Sequence, residues 1–217
     1  MSTSHDLFLD YIMPHVPGCL VDIAKHELRN TIIDFCERTL ILQRDIDNIS
    51  VVKGQIDYDL DPPTGYKVCK IMKAWYLSNE LIPTAPDMVA APQVYNQSMT
   101  DAPSQNGIPG GYIQKDNETF SVYPAPAESV ANAITMRVAL KPTRTSTSIE
   151  DFLFEDYAEV IAKGTLKRLM LQPAKTYSNN EMAVANNVMY EQGINSARQR
   201  STRGYVRSSQ QVKLRRI

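Results

Sequence analysis

Val130-Ala131-Asn132-Ala133-Ile134-Thr135-Met136-Arg137-Val138-Ala139-Leu140 has the period of a strand. Val130, Asn132, Ile134, Met136, Val138 and Leu140 share one face. Ala131, Ala133, Thr135, Arg137, Ala139 and Lys141 share the other. A strand with one apolar face belongs to an antiparallel sheet, because strands of a doubly wound parallel core are apolar on both. After Pro142 the period lengthens. Ser148 is placed to cap a helix to about Leu171, with Phe152, Leu153, Tyr157, Val160, Ile161, Leu166, Leu169 and Met170 as its apolar positions. Glu150, Asp151, Glu155 and Asp156 crowd its start and Lys163, Lys167 and Arg168 its end, which matches the helix dipole. Pro173 follows the stop.

Working outward, a further helix is predicted from Ser178 or Asn179 toward Arg200, with Ala183, Val184, Asn187, Tyr190, Ile194 and Ala197 as its stripe. On the other side, Ser4 can cap a short helix that breaks near Pro14 and Pro17. A long helix is predicted from about Leu20 to about Ile46, burying Leu20, Ile23, Ala24, Leu28, Thr31, Ile32, Phe35 and Cys36. Gln55–Leu60 alternates as a half-exposed strand, and Tyr66–Tyr76 is a second strand after a Pro-Pro-Thr-Gly turn. Trp75 and Tyr76 are read as core aromatics. Residues 79–129 hold seven of the 13 prolines and three of the nine glycines, so loops are expected there. Within them a short helical turn is expected near Gln93–Ser98, and a hairpin of Gly111–Lys115 with Thr119–Tyr123. Together these elements predict an α+β chain: a bundle of long α-helices, a projecting antiparallel β lobe and an extended C-terminal tail. Residues 1–50 and 141–197 would form the discontinuous helical bundle, 51–140 the β lobe with its Pro-rich insertion, and 198–217 a basic extension.

The last twenty residues carry Arg198, Arg200, Arg203, Arg207, Lys213, Arg215 and Arg216 and no acid, which leaves 16 bases against 24 acids in residues 1–197. An acidic body therefore carries a cationic tail, here interleaved with Tyr205, suited to an acidic protein groove or to non-specific contact with DNA phosphates. The acidic body argues against a sequence-reading DNA regulator. We expect 197–217 to order only on docking. No apolar run is long enough to span a bilayer, and the first ten residues lack the pattern of a secretory signal. Cys19, Cys36 and Cys69, odd in number and widely spaced, argue against a disulfide framework and fit a reducing compartment.

The sequence has no Gly-x-Ser-x-Gly elbow and no phosphate loop. Gly107-Ile108-Pro109-Gly110-Gly111 reads as a turn. His15 and Cys19 are four apart, but Pro17 and Gly18 between them spoil a helical metal-ligand spacing. No catalytic residue, cofactor or metal is expected. Asp151, Glu155 and Glu159 recur every four residues as a carboxylate stripe. They read first as an exposed acidic face near a helix N-terminus, although such a stripe can also bind a cation or act as an acid/base pair. In an oligomer it would face a neighbour's bases, such as Lys163, Lys167 and Arg168 or the Arg198–Arg207 run.

Several stretches, taken in order, resemble the adaptor, or head-to-tail connector, proteins of tailed bacteriophages. They are Val16-Pro17-Gly18-Cys19 before a long helix, Pro62-Pro63-Thr64-Gly65-Tyr66 after a strand, and Leu140-Lys141-Pro142-Thr143 leading into Tyr157-x-x-x-Ile161-Ala162-x-Gly164-x-Leu166-x-x-Leu169. The last is Tyr190-Glu191-Gln192-Gly193-Ile194-Asn195-x-Ala197-Arg198. The resemblance implies a non-enzymatic virion subunit that forms a ring of about twelve copies beneath the portal protein. That ring would surround the DNA passage and offer a platform to the next tail or neck protein. It also implies a C-terminal extension reaching the portal, a role that Arg198, Arg200, Arg203, Tyr205, Arg207, Lys213, Arg215 and Arg216 would fill. Assembly would take place in the host cytoplasm, the final location would be the virion neck, and no membrane contact is expected. Competing readings are a tail-completion ring lower in the neck and a virion-associated enzyme such as a cell-wall hydrolase. The enzyme would require a cleft of converging carboxylates.

Overall fold

The computed structural model describes residues 2–84 and 106–204. In chain order they form β1 (Ser2–Ser4), a 3-10 turn (His5–Phe8), α1 (Leu9–Ile12), a second 3-10 turn (Met13–His15) and α2 (Val21–Thr39). Then come β2 (Gln43–Val51), β3 (Asp57–Asp59), β4 (Tyr66–Tyr76), β5 (Asn79–Glu80), β6 (Ile82–Pro83), β7 (Gly111–Gln114) and β8 (Thr119–Tyr123). The chain continues through β9 (Val130–Pro142), β10 (Ser148–Glu150), α3 (Asp151–Met170) and α4 (Asn180–Arg203). The expected turn near Gln93–Ser98 lies outside the described residues. The chain divides into two compact units, Met1–Ile41 with Pro142–Ile217, and Leu42–Lys141.

The expected bundle of long helices with a projecting antiparallel β lobe is corrected by this architecture. Among the described residues four α-helices, one of them a single turn, share the chain with strands in three sheets. One sheet is β2-β9-β4-β5, a second is β3-β8-β7-β6, and β1 pairs with β10 in a third within the helical unit. The sheets are not wholly antiparallel either, since β6 runs parallel to β7. The largest single error is the end of α2. Leu40 takes a left-handed conformation (φ 52°) and its amide bonds to the Cys36 carbonyl at 2.9 Å, which stops the helix at Thr39. Residues 43–51, expected to include the last turn of that helix, instead pair antiparallel with β9, Gln43 opposite Ala139 and Ile46 opposite Met136. The one-sided strand at 130–140 buries Ile134, Met136, Val138 and Leu140 as its pattern requires. Ala133 and Ala139 on the other face are buried too, and their small side chains let β9 sit in the interior of its sheet. Asn48 and Asn132 have positive φ where the β2–β9 register slips, and such bulges bend an edge strand and spoil it as a template for pairing. Trp75 is half-buried and Tyr76 buried.

In the helical unit, α2 and α3 pack through Phe35 and Tyr157, whose rings lie 5.3 Å apart. Phe8 of the N-terminal segment meets Phe154 edge-on at 5.0 Å. α4 closes on both long helices with Ala183, Asn186, Tyr190, Ile194 and Ala197. Glycine decides how closely. A Cβ on Gly164 would stand 2.6 Å from Tyr190 Cε2 and 2.7 Å from Thr31 Cγ2, and one on Gly193 would run into Val160. We predict that Gly164→Ala lowers stability by about 1–3 kcal/mol through overpacking. That is the opposite sign to the gain of about 1 kcal/mol that alanine brings to an exposed helix site; urea denaturation measures the sign directly.

His5 is 3% exposed and its Nε2 has no hydrogen-bond partner among the described residues. Burial first, and then the positive charge of Arg29, lower its pKa from 6.5 to about 4; Lys25 acts the same way and Asp6 opposes it. The unfolded chain thus takes up a proton near pH 6.5 that the folded chain refuses until about pH 4. Stability falls as pH drops through that window, by at most about 3 kcal/mol from this group. Thermal melts from pH 7 to pH 4.5 should show the decline, and His5→Leu should flatten it.

Candidate functional site

The charged residues singled out in the sequence fall on α3 and α4. Asn179 caps α4 by accepting from the Met182 amide at 3.0 Å, and the helix runs through Gly193 to Gly204 (φ 64°). The first part of the basic run, 198–203, is therefore the last stretch of this helix, which corrects the expectation that all of 197–217 orders only on docking. Two of its arginines act within the chain. Arg198 Nε donates to the Arg38 carbonyl at 3.2 Å, and the Ser201 hydroxyl donates to the Leu40 carbonyl at 3.0 Å. Both serve carbonyls that the end of α2 leaves open. Arg200 pairs with Asp156 at 3.1 Å, donates to the Tyr157 hydroxyl at 3.4 Å and lies 5.9 Å from that ring's centre. Arg203 is exposed. Tyr205, Arg207, Lys213, Arg215 and Arg216 lie outside the described residues.

One turn further in, α4 is clasped to α2. Arg38 grips Glu191 with both guanidinium nitrogens, at 2.8 and 2.5 Å. That hydrogen-bonded pairing holds the Glu191 carboxyl below its ordinary pKa and raises that of Arg38. Tyr190 donates its hydroxyl to Asp34 Oδ2 at 2.9 Å. Burial, reinforced by the Asp34 charge, pushes that phenol far above its usual range, so it stays a donor.

The carboxylate stripe divides. Asp151 accepts the Thr3 hydroxyl at 2.7 Å and is drawn into the β1–β10 corner, while Glu155 and Glu159 are exposed. Of the bases, Lys163, Lys167 and Arg168 are half-exposed, and Lys167 Nζ stands 5.7 Å from the centre of the Tyr190 ring. Of the three stripe acids, two, Glu155 and Glu159, are thus exposed.

The sequence pattern misplaced one surface. Val184, assigned to the buried stripe of α4, is 63% exposed, and Met182, Val188 and Met189 are each about half exposed. Asn186 occupies the inward position instead, with Nδ2 3.5 Å from Met170 Sδ. The signal was present: apolar residues at 182, 184, 188 and 189, added to those at 183, 190 and 194, are too many for one stripe. Leu7 and Tyr11 are also exposed.

His15 lies in a 3-10 turn and is exposed, whereas Cys19 is buried in the loop beyond it. Among the described residues no group of three or more His, Cys, Asp or Glu side chains is placed to hold a metal. An open cleft of 370 Å³ in the sheet unit is lined by Asp59, Leu60, Pro62, Tyr66, Lys67, Glu118 and Thr119. Glu118 there is paired with Lys67 at 2.8 Å, so the cleft is a charge-compensated groove and not a pair of free carboxylates. Among the described residues no helix is long and apolar enough to cross a membrane. Among the described residues, the helical unit exposes acids on α3, bases at the end of α4 and apolar side chains on two faces of α4.

The sequence profile described as SU10 adaptor protein matches residues 22–213, from the first turn of α2 into the basic run. No curated protein matches the chain.

Arg200→Ala should loosen the last turns of α4. Amide exchange at 198–204 is expected to accelerate while the α2–α3 core is unchanged, and global stability should fall by no more than about 1 kcal/mol, as for a partly exposed ion pair.

Proposed function

Because the chain belongs to the SU10 adaptor protein family, we propose that it is a ring-forming connector between the portal and the tail of a tailed phage. As a member of that family it is a structural protein of the phage neck. The ring of about twelve copies, the grip on the portal protein, the platform for the next neck or tail protein and the wall around the DNA passage are our reading. The observation that supports it is the span of the family match, which takes in both compact units and most of the basic run.

The chemistry is consistent with that reading. A connector needs extended surface rather than a cleft, and heterologous contacts between identical copies generate a closed ring. With 16 bases against 24 acids in residues 1–197, the body repels phosphate and suits a passage through which DNA must slide without sticking. The bases of 203–216 supply the opposite charge for an acidic groove of a neighbouring protein. Because Arg198 and Arg200 are held within the fold, we assign portal docking chiefly to Arg203, Tyr205, Arg207, Lys213, Arg215 and Arg216. Glu155 and Glu159 are the acids of the α3 stripe best placed to face a neighbouring copy's bases.

The test is binding to the purified portal protein of the same phage. The full chain should bind it in multiple copies, and a chain ending at Gly204 should keep its circular dichroism and melting temperature but lose the interaction. Equal binding by the shortened chain would remove the docking role of the basic run; no binding by the full chain would overturn the connector reading.

A further inference from the structure

Gly107-Ile108-Pro109-Gly110-Gly111, read from the sequence as a turn, opens on a glycine whose place is set by packing. A Cβ on Gly107 would stand 3.0 Å from Pro124 Cγ. The Gly107 amide donates to the Ala125 carbonyl at 2.7 Å, and the Gly107 carbonyl accepts from the Ala127 amide at 3.0 Å. Residue 107 is thereby bridged to Pro126 in the parallel sense. Just before it stands Asn106, the one asparagine of the chain that precedes a glycine. Both residues are half-buried. Asn106 Nδ2 lies 3.7 Å from the point where a Cβ on Gly54 would stand, and the Gly54 amide donates to the Pro126 carbonyl at 2.9 Å. Asn106, Gly107, Gly54 and Pro126 are thus neighbours within the sheet unit, Leu42–Lys141.

An asparagine followed by glycine carries its own chemistry. The glycine nitrogen can attack the preceding carboxamide, because no Cβ crowds the approach and the glycine backbone turns freely. We propose that Asn106 is a self-modification site, a deamidation centre that the fold keeps latent and that reacts only when the Gly107–Pro126 bridge opens. In the reaction the Gly107 nitrogen gives up its proton and bonds to Asn106 Cγ. The Cγ–Nδ2 bond breaks, and ammonia leaves with that proton. Water then opens the cyclic succinimide. Opening at Cγ gives aspartate, and opening at the Asn106 main-chain carbonyl gives isoaspartate. Nothing is oxidised or reduced, and water is the only co-reactant. Two features of the fold hold the step back. The attacking nitrogen keeps its proton in the 2.7 Å hydrogen bond to Ala125, which resists deprotonation. Bonds on both sides of Gly107 also fix its peptide, so the nitrogen is not free to swing toward Asn106 Cγ. Packing against Pro124 thus demands the residue that makes Asn106 reactive, and the bridge built on that packing keeps it from reacting. Isoaspartate routes the main chain through Cβ and adds a negative charge, so a converted chain that refolds cannot restore the bridge in register.

The experiment is peptide mapping by mass spectrometry of the full chain held at mildly alkaline pH, folded in buffer and unfolded in urea. The peptide containing Asn106 should gain the mass of an amide exchanged for an acid, largely as isoaspartate. Conversion should be at least about tenfold faster in the unfolded chain, since the folded chain reacts only through its open fraction. Below the unfolding transition, added urea should change this rate in step with hydrogen exchange at the Gly107 amide, because both reactions need that N–H released from Ala125. Asn106→Gln, whose longer side chain closes a ring poorly, should stay unmodified in either state. Equal rates in the folded and unfolded chains would overturn the latch, as would a folded-state rate that ignores urea while Gly107 exchange climbs. No conversion at Asn106 in the unfolded chain, or conversion of Asn106→Gln at the unsubstituted rate, would overturn the site itself.

Discussion

At Gly164 the backbone of α3 comes so close to its neighbours that a single added carbon would collide with both Tyr190 of α4 and Thr31 of α2. Gly193 does the same for α4 against Val160 of α3. The helical unit depends on this approach. Tyr190 is 1% exposed, and its ring fills the space that the missing Gly164 side chain leaves. Its hydroxyl, once carried into the interior, requires a partner, since an unpaired buried hydroxyl costs on the order of 1–3 kcal/mol. Asp34 supplies that partner, and Arg38 of the next turn of α2 then takes Glu191 beside it. One steric constraint therefore sets the position of α4, and the polar contacts follow from it.

Fixing α4 in this way decides which of its residues meet water. With Ala183, Tyr190, Ile194 and Ala197 turned inward, Met182, Val184, Val188 and Met189 have no place in the core. A helix that is apolar on more than one face, in a unit that covers only one of them, leaves large apolar side chains in water. The same placement brings Arg198 and Ser201 to the open carbonyls at the end of α2 and Arg200 to Asp156 and Tyr157. The basic run thus begins with side chains that finish the fold before any partner is involved.

Where local pattern and tertiary structure agree, the sequence was readable. The helix expected from Ser148 to Leu171 is α3 (Asp151–Met170), and the strand expected at Tyr66–Tyr76 is β4 with the same bounds. The expected hairpin is β7–β8, with Gly111 opposite Tyr123. The failures share a cause. Residues 43–46 carry no glycine or proline to stop a helix, and only non-local pairing with β9 makes them a strand. β1 and β10 are three residues each, too short to show a period, and exist because they pair across 148 positions of sequence. Asn186 and Val184 exchanged roles because a stripe was drawn on hydrophobicity alone, whereas the inward position is set by where Gly164 and Gly193 let α4 lie. The charged residues were easy to nominate, but nothing local tells that Arg200 is held by Asp156 while Arg203 is exposed.

The division of labour along α4 also bears on how such a chain can stay folded alone and still assemble. The contacts that hold the helix most firmly are buried or bidentate and complete within one copy: Tyr190 with Asp34 and Glu191 with Arg38. Surface left for assembly is of two weaker kinds, exposed apolar side chains and exposed charges, neither of which is needed to satisfy a buried group. Losing a neighbour then costs the chain no hydrogen bond inside its own core. In the proposed ring, contacts between exposed charges would weaken as salt rises. A protein built to join others in order gains from that separation, because its fold does not wait for its partners and its partners do not have to repair its fold.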